Sequence, residues 1–227
     1  KTIGHNRIAS TGVRRMIRAI GKFTRSRTGY RTIGVRTFDD PKRMTVPTDT
    51  SDPPSSRRTI RRSDRRTIAV VSTSRADYGH LYWVLRSLQR RPEVDLRILA
   101  TGAHLAPGFG RTVSAFSDDD FPIEAAPECL LDSDSDVGMA KSIGLATLSL
   151  ADALDHIRPD LLLLIADRYE MLAPASVALA LRIPIAHIEG GDVSEGAIDD
   201  AVRNALTKMA HLHFVPTETA RRRGLAM

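Results

Sequence analysis

DLLLLIADRYEMLAPASVALALRIPIAHIEGGDVSEGAIDDAVRNALTK, residues 160–208, decides the fold. It holds two apolar runs, 161–166 and 183–187, that each end abruptly in charge, Asp167-Arg168 after the first and Glu189-Gly190-Gly191 after the second. Short continuous apolar runs are what strands buried on both faces look like. Residues 171–181 between them are helix-sized, and 199–209 form a further helical segment. Strands that stop in carboxylates and hand over to helices are how an open α/β sheet builds a site, because its ligands lie beyond the carboxyl ends of the strands.

The same alternation extends outward. Residues 67–72 form a β-branched strand, 73–79 a polar turn, and Leu81, Val84, Leu85 and Leu88 recur at helical spacing before Pro92. A second strand at 94–100 leads into Thr101-Gly102-Ala103-His104. Residues 107–116 are expected as a helix, 121–125 as a third strand, and 132–136 as a solvated acidic loop. A long helix follows over 137–157, with Ile143, Ala146, Leu150 and Leu154 on one face. A last strand at 211–215 precedes a helix starting near 217. This predicts a doubly wound, mostly parallel Rossmann-like α/β sheet with right-handed crossovers.

The 227 residues carry a net charge of +6, but the excess is local. Residues 1–67 hold 18 Lys and Arg against 5 Asp and Glu, so the remainder is net acidic. Residues 1–66 contain Pro41, Pro47, Pro53 and Pro54 and few large apolar side chains, and are expected to be a disordered basic leader. Position 1 is Lys, and Met44 would serve as a start, which would make 1–43 upstream sequence. Two alternatives stand beside that reading. One is an organellar transit peptide with 16–23 as its amphipathic core. The other is a basic arm for nucleic acid or anionic lipid, disfavoured by the scarcity of aromatics to stack on bases. A single cysteine, Cys129, fits a reducing cytoplasm. No uninterrupted apolar run approaches the roughly 18 residues of a membrane span.

The first strand–helix turn, Ser72-Thr73-Ser74-Arg75-Ala76-Asp77-Tyr78-Gly79, lacks G-x-G-x-x-G, and the chain has no G-x-x-x-x-G-K-[ST]. Dinucleotide oxidoreductase and P-loop chemistry are therefore disfavoured. Charged and imidazole side chains nevertheless collect at strand ends: Arg75 and Asp77 after the first, His104 after the second, Asp167 and Arg168 after the fourth, His187 and Glu189 at the fifth. Asp199 opens the next helix, with Arg203 one turn on. Each has a plainer reading. Asp199 suits any helix N-terminus, Arg203 is an i+4 partner, and His187 at the end of a buried strand could be a satisfied core histidine.

The segments SRADYG (74–79), TGAH (101–104), ADRYE (166–170), HIEGGDVSEGAIDDAVRNALTK (187–208) and HLHF (211–214) together resemble the hydrolysing UDP-N-acetylglucosamine 2-epimerases of sialic-acid and related nonulosonate pathways. The resemblance covers residues 67–227. It implies the first half of a GT-B-like pair of Rossmann-like domains, with the second domain beyond Met227. It also implies conversion of UDP-N-acetylglucosamine to N-acetylmannosamine and UDP by elimination and water addition, without nicotinamide or an obligatory metal. Asp167, Glu189 and Asp199 match the family's catalytic carboxylates; Arg75, Asp77, His104, His187 and Arg203 match its substrate-binding positions. The implied partners are the UDP-sugar and further copies of the chain in a dimer or tetramer, with neither membrane nor nucleic acid. The half present here is expected to be inactive alone.

Four departures from the family pattern leave the sugar open to a 6-deoxy-diacetamido or GDP-linked substrate. Ala166 stands for Gly, Ile165 for His and Asn204 for the His of I-R-H, and the 191–198 loop is one residue longer. A nucleotide-sugar-binding module without turnover and a GT-B-type glycosyltransferase remain the alternatives.

Overall fold

The computed structural model describes residues 65–227 together with Arg36 and Thr37. Seven parallel strands form one sheet among these residues: β1 (Arg36–Thr37), β2 (Arg66–Ser72), β3 (Val94–Ala100), β4 (Ile123–Ala125), β5 (Leu161–Ile165), β6 (Ile185–Ile188) and β7 (Leu212–Val215). The helices are α1 (Arg75–Gln89), α2 (Ser114–Asp118), α3 (Asp136–Ile157), α4 (Leu172–Ala180), α5 (Asp199–Met209) and α6 (Glu218–Ala226). The sheet order is β1-β7-β6-β5-β2-β3-β4. From β2 the chain winds outward through β3 and β4, then returns to β5 and winds the other way. The reversal lies between β2 and β5, and a doubly wound sheet opens its ligand crevice at that point.

The inner strands are buried on both faces. All five residues of β5, and Ile68 to Ser72 of β2, are inaccessible or nearly so. That continuous burial explains their unbroken Leu, Ile and Val content. Leu81, Leu85 and Leu88 of α1 and Ala146, Leu150 and Leu154 of α3 belong to the same core. By length and composition alone α3 would span a membrane, although Lys141, Asp152 and Asp155 interrupt its apolar runs. Its Ala146, Leu150 and Leu154 pack into the core, as expected of a helix covering a parallel sheet.

Four local expectations change. Residues 73–79 are not merely a turn, because α1 already begins at Arg75. Ser74 caps it by accepting from Asp77 N, and the Asp77 carboxylate bonds back to Ser74 N, a reciprocal capping box. Residues 107–116 do not make one helix. Gly108 and Gly110 weaken the run, Gly110 turns left-handed (φ 82°), and the segment splits into a one-turn 3-10 helix at Pro107–Phe109 and the short α2. The third strand shortens from 121–125 to Ile123–Ala125. The acidic loop at 132–136 is exposed, as expected, and also caps α3, Ser135 Oγ accepting from Gly138 N. Within 1–66, read as a leader, Arg36–Thr37 pairs in parallel with β7 and Arg66 already belongs to β2; residues 1–35 and 38–64 lie outside the described residues.

Candidate functional site

The site is built on the carboxyl ends of β5 and β6. Directly after β5, Ala166 takes a left-handed conformation (φ 59°). Its N–H donates to Ile188 O (3.0 Å) and its carbonyl accepts from His187 Nε2 (2.7 Å). The ends of the two strands are thus laced together, and Asp167 is delivered to the rim. An alanine held left-handed costs about 1 kcal/mol against glycine. After β6, Glu189 is also left-handed (φ 66°), its N–H donating to Phe214 O (2.8 Å). Non-glycine residues in this conformation persist where the surroundings fix them, and functional sites are common places for them.

One side chain joins these strand ends. Arg203, from α5, donates through Nη2 to the Asp167 carboxylate, with which it forms an ion pair, and through Nη1 to Glu189 O (2.5 Å). Its Nε and Nη2 also donate to Ser194 Oγ, at 3.1 and 2.8 Å. Ser194 Oγ in turn donates its proton to Asp167 Oδ2. The Arg203 and Asp167 side chains are only 9% and 19% exposed. This is a partly desolvated charge pair held by a planar donor fork, a geometry that lysine cannot reproduce.

Ser194 was not anticipated. A serine in a glycine-rich loop reads as an ordinary turn residue, and only the fold turns it between Asp167 and Arg203. The loop itself depends on two glycines. Gly191 (φ 72°) lies where a Cβ would overlap the Ala220 carbonyl, and at Gly196 a Cβ would overlap the Asp199 carboxylate. Asp199 therefore packs over the loop at the start of α5, one turn before Arg203. Asp200 serves the local structure, accepting from Ser194 N (3.4 Å) and Asn204 Nδ2 (2.9 Å). Asn204 is thus engaged on its own helix.

Arg75, the first residue of α1, is exposed at the end of β2. Across the switch point, Arg168 donates to Glu170 (2.7 Å). Burial opposes its charge, but its hydrogen bond to Glu170 and the charges of Glu170 and Asp77 outweigh it and raise its pKa.

Three expected substrate-binding residues sit behind the crevice surface. Asp77 is buried, and its Oδ2 accepts from Thr73 N (2.9 Å), Thr73 Oγ1 (2.7 Å) and Ser74 N (3.1 Å), so the α1 cap consumes it. His104 is inaccessible, with Nε2 against Ser72 Oγ (2.9 Å) and Nδ1 against Thr112 Oγ1 (2.8 Å). His187 is inaccessible too. Beyond Ala166 O its other nitrogen faces Thr207 Oγ1 (3.4 Å). Burial pushes both imidazoles down to about 4, which makes them neutral struts rather than titrating groups. Among the described residues, no three His, Cys, Asp or Glu side chains converge as metal ligands.

The arrangement offers carboxylates at adjacent strand ends and guanidinium groups among them, beside the reversal of strand order where doubly wound sheets take their ligands. Comparison with known proteins shows the family. The family model described as UDP-N-acetylglucosamine 2-epimerase matches residues 86–227. The chain is 39% identical over 163 residues to the GDP/UDP-N,N'-diacetylbacillosamine 2-epimerase (hydrolyzing) of Campylobacter jejuni, covering 72% of this chain and 42% of that protein. It is 40% identical over 162 residues to the UDP-N,N'-diacetylbacillosamine 2-epimerase (hydrolyzing) of Legionella pneumophila, covering 71% and 43%. To the UDP-N-acetylglucosamine 2-epimerase of Neisseria meningitidis it is 32% identical, covering 67% and 40%. The chain therefore spans roughly two fifths of the length of these relatives. Among solved structures, the Neisseria meningitidis UDP-GlcNAc 2-epimerase bound to UDP-GlcNAc superposes with a TM-score of 0.61 at 20% identity, covering 70% of this chain and 43% of that one. The Methanocaldococcus jannaschii UDP-GlcNAc 2-epimerase gives 0.60 at 20%, covering 70% and 42%.

Proposed function

Because the chain belongs to the UDP-N-acetylglucosamine 2-epimerase family, we propose that it forms the amino-terminal half of a hydrolysing nucleotide-sugar 2-epimerase. Its substrate is a UDP-linked 2-acetamido sugar. The observation that carries this reading is Arg203, which joins the Asp167 carboxylate to the Glu189 backbone beside the switch-point crevice.

The chemistry requires removal of the C2 proton and departure of UDP from C1, leaving a glycal. Water then adds at C1 while C2 is reprotonated on the opposite face, giving the free 2-epimer and UDP. Carboxylates near C1 and C2 suit the proton transfers, and Asp167, Glu189 and Asp199 are assigned to them. Arg203 pairs with the Asp167 carboxylate and aligns it. Arg75 and Arg168 lie where cationic donors would steady a departing diphosphate. Asp77, His104 and His187 act as supports for these groups.

The sugar is UDP-N-acetylglucosamine or its 6-deoxy-diacetamido counterpart. The identities of 39% and 40% to proteins named for diacetylbacillosamine, against 32% to one named for N-acetylglucosamine, favour the second. In the completed cleft, further copies of the chain and a cytoplasmic setting belong to the same reading.

The test offers each UDP-sugar, in heavy water, to the natural full-length protein that contains these residues. Free 2-epimer carrying deuterium at C2, with stoichiometric UDP, is expected. Binding without deuterium incorporation would replace this reading with a nucleotide-sugar-binding module, and sugar transfer to an acceptor would replace it with a glycosyltransferase.

A further inference from the structure

Glu189 is fixed at two points by its backbone and at a third by a side chain from the opposite wall. Its N–H donates to Phe214 O and its carbonyl accepts from Arg203. Its Oε1 lies 3.0 Å from Nδ1 of His80, in the second turn of α1. The helix carrying His80 follows β2, whereas Glu189 follows β6. The contact therefore reaches across the end of β5 at the switch point and joins residues 109 positions apart. An ionised carboxylate only accepts hydrogen bonds, so Nδ1 must be the donor, in either the neutral or the charged imidazole.

Resting on the epimerase reading, we infer that His80 is the positioning residue of Glu189: by donating from Nδ1 it holds that carboxylate turned toward the switch point for proton exchange with the sugar. Three observations favour this role over a structural one. The His80 side chain is 61% exposed and that of Glu189 29%, so the pair adds little to the core. Glu189 adopts a strained left-handed backbone, and that conformation sets the direction in which its carboxylate leaves the strand. The neighbouring charges are committed elsewhere. Arg203 on α5 pairs with Asp167 after β5 and gives Glu189 only a bond to its carbonyl, and Asp77 on His80's own helix is turned to the helix cap. His80 is thus the cation-capable group on the Glu189 carboxylate itself.

Two measurements test this. In NMR spectra of the protein, Glu189→Gln is expected to move the imidazole nitrogen resonances of His80, because it removes the carboxylate that Nδ1 faces. In the natural full-length protein, His80→Ala is expected to lower kcat about 10- to 100-fold with KM nearly unchanged, because a misdirected catalytic group costs turnover rather than binding. His80→Lys, which restores a cationic donor, should recover most of that loss. Unmoved His80 nitrogen resonances in Glu189→Gln, or an unaltered kcat in His80→Ala, overturn the inference. So does a loss that lysine does not repair. If the wild-type protein binds the UDP-sugar but never turns it over, the epimerase reading fails and the kinetic role of His80 falls with it. The NMR shift then separately shows whether the pair itself exists.

Discussion

Replacing Arg203 by alanine is expected to abolish measurable turnover of the natural full-length protein and to destabilise the fold. The two effects have one cause. The guanidinium donates to Asp167, to Glu189 O and to Ser194 Oγ, so its removal frees the ends of β5 and β6 and the loop after β6 together. It also leaves the Asp167 carboxylate, 19% exposed, without its counter-charge. Breaking a desolvated ion pair from one side costs about 3–5 kcal/mol when fully buried, and about 2–4 kcal/mol is expected at this partial exposure. Loss of the carboxylate's alignment should lower kcat/KM by about 10³-fold or more. Arg203→Lys keeps the charge but cannot span the three acceptors, and is expected to recover stability better than turnover. Urea unfolding and steady-state kinetics on both variants check this. Near-wild-type kinetics in Arg203→Ala would contradict it.

The second large effect is a loss of stability in acid. His104 and His187 are buried neutral, with pKa values lowered to about 4 by desolvation. In the unfolded chain each takes up a proton near its ordinary value of about 6.5. Between these values the unfolded state binds more protons, so the contribution is complete above about pH 6.5 and is lost as pH falls toward 4. At pH 5 each histidine should cost the fold about 2 kcal/mol relative to pH 8, about 4 kcal/mol together. Burial lowers His211 and His213 as well, which acts in the same direction. Urea unfolding at pH 8 and pH 5 measures the difference. In the double variant His104→Gln, His187→Gln the slope between the two pH values should fall by more than half, whatever its stability at pH 8. A wild-type stability that does not change over this interval would show that these imidazoles are not held neutral.

The sheet was legible because its strands are buried on both faces, so that runs such as Leu161 to Ile165 stand out without any alternation. Asp167, Glu189 and Arg203 were legible for a related reason: charge that closes an apolar strand, or follows one turn into the next helix, lands on the ligand-bearing edge of a doubly wound sheet. The residues behind that edge were harder to sort. A histidine at a strand end looks the same in sequence whether it faces a crevice or braces a carbonyl, and His187 does the second. Asp77 was decidable, since Ser74 and Asp77 have the spacing of a capping box. Ser194 and His80 were not, because both owe their place to contacts with residues far along the chain, Asp167 and Glu189, which no local pattern encodes.

The most direct test of the account is a crystal structure of the natural full-length protein with an intact UDP-linked 2-acetamido sugar. The Asp167, Glu189 and Asp199 carboxylates are expected around the C1–C2 edge of one pyranose ring, each within about 2.6–3.2 Å of a reacting or bridging group or one water away. A sugar seated elsewhere on the sheet, or any two of these carboxylates pointing away from the ring on different faces, would contradict it.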